Sequence, residues 1–400
     1  MISKENMHYS LRNLSKRKAR SFLTILSIFV GIATIFIFIS FGWGLFDYVE
    51  ELSTGGSADK FMVQGKGWGA PGLSEIGFSE SDLSAVSKAR GVLDLNGYYF
   101  EVVEVTQGRT NKFVFVSASD PKTDLLIESF GIDIIEGRHV KNGDVNKVSL
   151  GYNYQIDDKI LPKGLRVNDK IEINDVKFKV IGFFESIGNP QDDSNIYMSE
   201  EGYKRLFPDT ENYDMLVGRA PLDDVDGTIE RVEKDLRQNR DEEEGAETFT
   251  VQSFQDQIEA FGAVLNIVVG FIVLIALISV VVSAINTANT MITSVLERIK
   301  EIGIVKSIGA KNSEIFNIFL FESAFLGGVA GTIGVIVGWI FSSTAASILD
   351  SLGWGFLKPH YSWFLFVGCV AFATIVGAIS GVAPAYQASK LKPTEALRYE

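Results

Sequence analysis

The run AFGAVLNIVVGFIVLIALISVVVSAINTANTMITSVL, residues 260–296, holds 37 residues without one charged side chain. Crossing the hydrocarbon of a bilayer takes about 20 apolar residues. Three more charge-free runs reach that length: 21–46 with 26 residues, 323–349 with 27 and 361–389 with 29. A soluble protein can bury one apolar helix, but four such runs in one chain predict four transmembrane helices. The run 260–296 is longer than a span requires. Fully helical at about 1.5 Å per residue, it reaches about 55 Å against a hydrocarbon core of about 30 Å. Upstream, Phe254, Ile258, Phe261 and Leu265 keep helical spacing. Residues 260–296 therefore read as a stalk that continues into the second transmembrane helix.

Flanking charge sets the expected orientation. Residues 1–20 carry six basic residues, including Lys16, Arg17, Lys18 and Arg20, and one acid. The loop 297–322 carries four basic residues, the tail 390–400 three, and the connection 350–360 only Lys358. Both termini and the loop 297–322 are expected in the cytoplasm, with 47–259 and 350–360 outside. A secretory signal has an apolar stretch of about 7–15 residues. The first run exceeds that, and no small-x-small site follows Gly44, so it reads as an uncleaved anchor. The expected location is the cell (inner, cytoplasmic) membrane, crossed several times.

Charge is unevenly shared. Residues 47–259 hold 23 Lys/Arg and 42 Asp/Glu, a net of −19, while the whole chain carries −13. An acidic block without a basic footprint excludes nucleic acid as a partner. Its aromatic and β-branched content excludes disorder. Strand patterns occur at 60–64, 98–105, 112–117, 170–173 and 176–184, and helix patterns at 80–89, near 200–206 and at 225–237. Asp224 or Asp226 is the expected cap of the last helix. The glycine-rich stretch around 65–72 reads as a loop. The fold class is thus an α-helical membrane protein with four transmembrane helices and a mixed α/β extracytoplasmic domain inserted between helices 1 and 2.

The residues offer little for catalysis. There are three histidines, His8, His139 and His360, and one cysteine, Cys369. That excludes a disulfide within the chain and a cysteine-based zinc site. The acidic clusters lack the spacing of an EF-hand loop, and neither a nucleophile elbow nor a Walker A loop is present. Catalytic and metal-binding residues are therefore expected to be none, with no cofactor held by this chain. Residues 22–46 and 261–285 and the spans 323–349 and 361–389 hold no Asp, Glu, Lys, Arg or His, so ion pathways and proton relays are not expected. Small-residue pairs do mark the spans: Gly327, Gly331, Gly334 and Gly338 in the third, Gly377 and Gly381 in the fourth. They predict close helix packing, either within one bundle or along a dimer seam.

After the second span comes SVLERIKEIGIVKSIGAKNSEIF, residues 294–316. Ile299, Ile302, Val305 and Ile308 recur at threes and predict a short amphipathic helix. Glu297 with Lys300 and Arg298 with Glu301 fall at i,i+3. Gly309 is the expected stop, and Asn312 or Ser313 the cap of the next helix. This passage, with the entry LRNLSKRKARSFLTILSIFVGIA (11–33), FLFESAFLGGVAGTIG (319–334) and the exit SGVAPAYQASKLKPTEALRYE (380–400), resembles the MacB/FtsX-like permeases of ABC transporters, the mechanotransmission family. In the middle, IIEGRHVKNGD, KVSLG, LRVNDKIEINDVKFKVIGFFES and NIYMS resemble that family's outer domain, with Asn168 where a glycine is common.

The resemblance implies a non-catalytic permease subunit that forms a homodimer and docks an ABC-type ATPase on its cytoplasmic loop. ATP and magnesium then belong to the ATPase. Closure of the ATPase dimer would move the outer domains, for export or handling of a peptide, lipid or drug-like substrate. By position, Glu297, Arg298, Lys300, Glu301, Gly303, Lys306, Gly309 and Ala310 are the expected ATPase-coupling residues. Lys16, Arg17, Lys18 and Arg20 are expected on lipid headgroups. An extracytoplasmic adaptor is among the partners the family allows. By position, 120–210 would be an inserted part, and 47–119 with 211–259 a porter-like part. Two alternatives stand beside this: a regulator that couples ATP hydrolysis to a cell-wall hydrolase or sensor, and an ATP-independent receptor.

Overall fold

The computed structural model describes residues 18–54, 56–67 and 76–396. In chain order the elements begin with α1 (Lys18–Thr54), β1 (Lys60–Gly65), α2 (Glu80–Lys88), β2 (Asp94–Gln107), β3 (Thr110–Ser119) and α3 (Leu125–Phe130). Then come β4 (Ile134–Gly137), β5 (Lys147–Leu150), β6 (Lys170–Ile173), β7 (Val176–Phe184), β8 (Ile196–Ser199), α4 (Glu200–Leu206), β9 (Met215–Arg219), α5 (Val225–Arg240) and β10 (Phe249–Ser253). The last are α6 (Phe254–Glu297), α7 (Ile299–Ser307), α8 (Asn312–Ser351), α9 (Trp363–Lys390) and α10 (Pro393–Ala396). They form two compact units, one of residues 46–263 with 349–357, the other of the remaining segments.

In the second unit, α1, α6, α8 and α9 are each long and apolar enough to cross a membrane. The helix α6 is continuous from Phe254 to Glu297, so it begins ahead of the charge-free run. Ser362 caps α9 by accepting from the Phe364 N–H at 3.3 Å. The next helix, α8, differs from the sequence expectation. Its first residue is Asn312, and Glu314 reaches back to the Lys311 N–H at 2.9 Å. Lys311 therefore precedes the helix, and a carboxylate one turn on does the capping.

The first unit is built on ten strands in one sheet, ordered β10-β1-β9-β2-β3-β8-β5-β7-β4. β6 pairs with both β2 and β7. The strands β2, β3, β8, β5, β7 and β6 therefore close into a ring, filled by Val103, Val116, Val148, Ile173, Val180 and Ile196, all buried. Segment 120–210 supplies β4 to β8, and the rest supplies β1, β2, β3, β9 and β10. In the β1–β9 half, one sheet face packs on the buried side chains of α2 and α5, such as Val86 and Val232. The other carries a smaller cluster of Met62, Tyr98, Leu125, Met215, Val217 and Phe254.

Local chemistry accounts for these boundaries. Ser79 and Asp82 form a reciprocal capping box at α2. Asp224 stands at the N-cap of α5 but gives its carboxylate to Arg231 at 2.6 Å instead of to a helix N–H. Asn168 has φ +80°, the left-handed region in which glycine is free and asparagine is tolerated. The segment 349–357 belongs to this unit, with Phe356 N–H donating to Gly188 O at 3.2 Å and Lys159 to Ser351 O at 3.1 Å.

Candidate functional site: the α7 elbow

At Arg298 the long helix α6 gives way to α7. Arg298 itself has φ −110° and ψ 13°, outside both helices. Its N–H still donates to Val295 O at 3.1 Å, and its C=O accepts from Ile302 N–H at 2.9 Å. The side chain turns inward. Its guanidinium donates to Glu322 of α8 at 3.1 Å and to Glu301 at 3.2 Å, and lies 5.2 Å from the Phe319 ring. Arg298 and Glu322 are both buried, at 7% and 6% side-chain exposure. A buried charge persists only when paired and hydrogen-bonded, so this contact fixes α7 on α8.

At its other end α7 is fixed again. Lys306 Nζ donates to Ser389 O at 2.8 Å and Leu391 O at 2.6 Å, the carbonyls at the end of α9. A cation there also complements the negative end of the helix dipole. Gly309 has φ +109°, and the N–H groups of Gly309 and Ala310 return to Lys306 O and Val305 O. Beneath the elbow lies a core of Met291, Val295, Ile302, Ile315, Phe319 and Ala385.

The four isoleucine and valine positions read as one face divide in two. Ile299 and Ile302 are buried with Gly303, while Val305 and Ile308 are exposed with Ile304. Ile308 is 83% exposed. The reason is that a nine-residue helix between two others has an inner and an outer side, and steps of three drift around the helix by about 60° each. Of the sequence-selected residues, Glu297, Lys300, Glu301 and Gly309 lie on the exposed side, Lys306 and Ala310 are half-buried, and Arg298 and Gly303 face inward. Glu322 was not selected. It stands one residue before a charge-free run, and an acid at that border beside a basic loop is the signal that marks it.

The glycines face helices of the same unit. A Cβ on Gly327 would meet Ala373 O, and one on Gly331 would meet Ala373 Cβ at 2.6 Å, both on α9. On Gly334 it would lie 2.9 Å from Phe29 O, and on Gly338 3.1 Å from Phe36 Cδ1, both on α1. Gly377 and Gly381 meet Ser323 of α8. Lys16 and Arg17 lie outside the described residues. Lys18 and Arg20 begin α1, with side chains that are likewise outside them. Among the described residues no group of three or more His, Cys, Asp and Glu could hold a metal ion. The outer side of the elbow is an exposed apolar ridge, Ile304, Val305 and Ile308, beside the exposed charges Glu297, Lys300 and Glu301.

Residues 21–235 match the family model described as MacB-like periplasmic core domain, and residues 261–393 the one described as FtsX-like permease C-terminal. An uncharacterized ABC transporter permease of Methanocaldococcus jannaschii is 31% identical over 98% of this chain and 97% of its own length. The uncharacterized ABC transporter permease YvrN of Bacillus subtilis is 28% identical over 99% of this chain and 100% of its own. A macrolide export ATP-binding/permease protein MacB of Marinobacter nauticus is 29% identical, and the chain spans 61% of that relative's length. Among solved structures, the periplasmic region of MacB from Actinobacillus actinomycetemcomitans covers 54% of this chain and 97% of its own, at 15% identity and a TM-score of 0.42.

Proposed function

This chain belongs to the MacB-like, FtsX-like family of ABC transporter permeases, and we propose that it is the non-catalytic membrane subunit that docks a separate ABC-type ATPase on the outer side of α7. The ridge of Ile304, Val305 and Ile308 carries this reading. Exposed isoleucine on a helix pinned at both ends costs free energy in water and gains it against a partner. The pinning matters as much as the ridge, because a pre-organised surface binds without an ordering cost and transmits displacement without slack.

In this reading ATP and magnesium sit on the ATPase. Closure of the ATPase dimer displaces α7, and the outer unit responds, in a membrane-embedded homodimer whose segment 120–210 is an inserted part of the outer domain. The termini and α7 lie in the cytoplasm, and 46–263 lies outside the cell membrane. The grouping of 349–357 with 46–263 supports that orientation, since both would then lie on one side. Basic residues 16–20 bind anionic lipid headgroups, and the substrate is a peptide, lipid or drug-like molecule handled beyond the bilayer.

The test is co-purification from native membranes of the tagged chain with and without Ile304→Glu and Ile308→Glu. Surface changes of this kind shift folding stability by only about 0.5 kcal/mol, so thermal stability should be retained. The wild type should bring down a nucleotide-hydrolysing subunit and the double variant should not. Equal recovery of that subunit would remove α7 as the docking element.

A further inference from the structure

The outer unit contains a cavity of about 330 Å³ on the sheet face that α3 only partly covers. That volume sits at the lower end of the range for small-molecule sites, about 300–1,000 Å³. Its floor is apolar: Met62 of β1, Phe100 of β2, Phe115 of β3 and Met215 of β9, with Leu126 and Phe130 of α3 as a wall. Strand alternation puts Val102 and Phe113 on the same side as Phe100 and Phe115. Both are exposed, Phe113 at 73%, so the apolar floor continues outward along the β2–β3 hairpin as an approach.

The polar lining is one-sided in its chemistry. It consists of Gln64, Ser117, Gln191, Asp192, Asn195 and Gln257 with Tyr48 and Tyr197, and among the described residues no Lys, Arg or His lines the cavity. Asn195 lines the cavity beside Tyr197. Asp192 accepts from Asn189 Nδ2 at 2.7 Å through one oxygen. Burial, with the neighbouring Asp193 adding to it, lifts the Asp192 carboxyl above its ordinary range. Asp193 is itself occupied by Ser186 Oγ at 2.6 Å and the Ile187 N–H at 2.7 Å. A partly buried carboxylate with no cation beside it is stabilised by a ligand that brings one, and the acidic outer domain attracts cations over a longer range.

We propose that this cavity binds a small amine, its aromatic or aliphatic body on the Phe100–Phe115 floor and its N–H groups on Asp192. An anionic ligand of the same shape finds no counter-charge there. The site lies wholly in the outer unit and does not depend on ATPase docking at α7.

The test uses the full chain in lipid nanodiscs, without nucleotide or ATPase, so it is independent of the docking reading. Naphthylmethylamine, naphthylmethanol and naphthoate share one ring system and differ in the head. Saturation-transfer NMR against empty nanodiscs should show saturable binding of the amine, weaker binding of the alcohol and none of the carboxylate. Asp192→Asn keeps the shape and removes the charge, and should weaken the amine about tenfold. Gln64→Trp, on the half-buried rim, should fill the cavity and abolish binding of amine and alcohol alike. Naphthoate binding as well as the amine overturns the assignment, and so does amine binding that either substitution leaves unchanged in a protein of normal thermal stability.

Discussion

Replacing Arg298 by methionine tests the elbow most directly. Methionine fills a comparable volume and keeps the apolar contact with Phe319, but it leaves Glu322 as a carboxylate at 6% exposure without its 3.1 Å partner. Breaking a buried pair from one side costs about 3–5 kcal/mol. The 3.2 Å bond to Glu301 adds little, because Glu301 is 56% exposed and exposed pairs contribute about 0–1 kcal/mol. Loss of the guanidinium above Phe319 removes about another 1 kcal/mol. Arg298→Met should therefore cost about 5 kcal/mol, which for a unit of this size lowers the unfolding midpoint by about 15 °C. Glu322→Leu leaves Arg298 its 3.2 Å bond to Glu301 and should cost less. The double variant replaces the pair by apolar groups and should recover most of the loss, since such replacements are close to neutral. Membrane proteins unfold irreversibly, so the assay is thermal denaturation of all four proteins in one detergent at one scan rate, read as a double-mutant cycle. A drop in midpoint below about 3 °C for Arg298→Met, or a double variant as unstable as the two singles combined, refutes the pinning of α7 by this pair.

Two more outcomes follow from contacts elsewhere. Gly327→Ala puts a methyl against the Ala373 carbonyl, whereas a Cβ on Gly368 meets nothing within 4 Å; the first should destabilise by about 1–3 kcal/mol and the second should be neutral or stabilising, and equal effects in thermal denaturation would dismiss the packing argument. In the outer unit, burial lifts the Asp214 carboxyl to about 6, against the pull of the Phe100 N–H and with Glu101 adding to the rise. A raised carboxyl favours the folded state below its unfolded value near 4, and that contribution is lost as pH climbs through about 6. Asp214→Asn should therefore flatten the fall in stability between pH 4 and 7, by about 3 kcal/mol at most; an unchanged pH profile would contradict it.

The membrane helices were legible because the property that makes a helix span, absence of charge over about 20 residues, is a property of composition alone. The strands read correctly, β1, β2, β3, β6 and β7, are the ones with alternation or β-branched runs. The strands missed are short or lack alternation: Ile196–Ser199 is buried at every position, so it shows no period. Met215–Arg219 is likewise buried through four residues. The closing of β2, β3, β8, β5, β7 and β6 into a ring was illegible for another reason. It depends on β6 pairing with Val105 and Thr106, a long-range register that local pattern does not encode. At the elbow the helix and its stop at Gly309 were legible, but which isoleucines faced inward was not. That choice is made by α8 and α9, through Glu322 and the carbonyls of Ser389 and Leu391.

These contacts give α8 a particular position. Along its length it presents Ile315, Phe319 and Glu322 to the elbow, Gly327 and Gly331 to α9, then Gly334 and Gly338 to α1. At the elbow the bond is a buried ion pair, and at the glycines backbone meets side chain or carbonyl with no space for a Cβ. Packed interfaces of this kind do not deform continuously; they move as bodies or repack. A push on α7 cannot be absorbed between α7 and α8 without breaking the Arg298–Glu322 pair, nor between α8 and α1 without opening the Gly334–Phe29 contact. The least constrained residue of the elbow is Gly309, exposed and unpacked on a turn with positive φ. Because Arg298 and Lys306 hold α7 at both ends, a bend at that turn alone leaves the angle of α7 against α8 unchanged, which places the stiffness of the elbow in its two anchors.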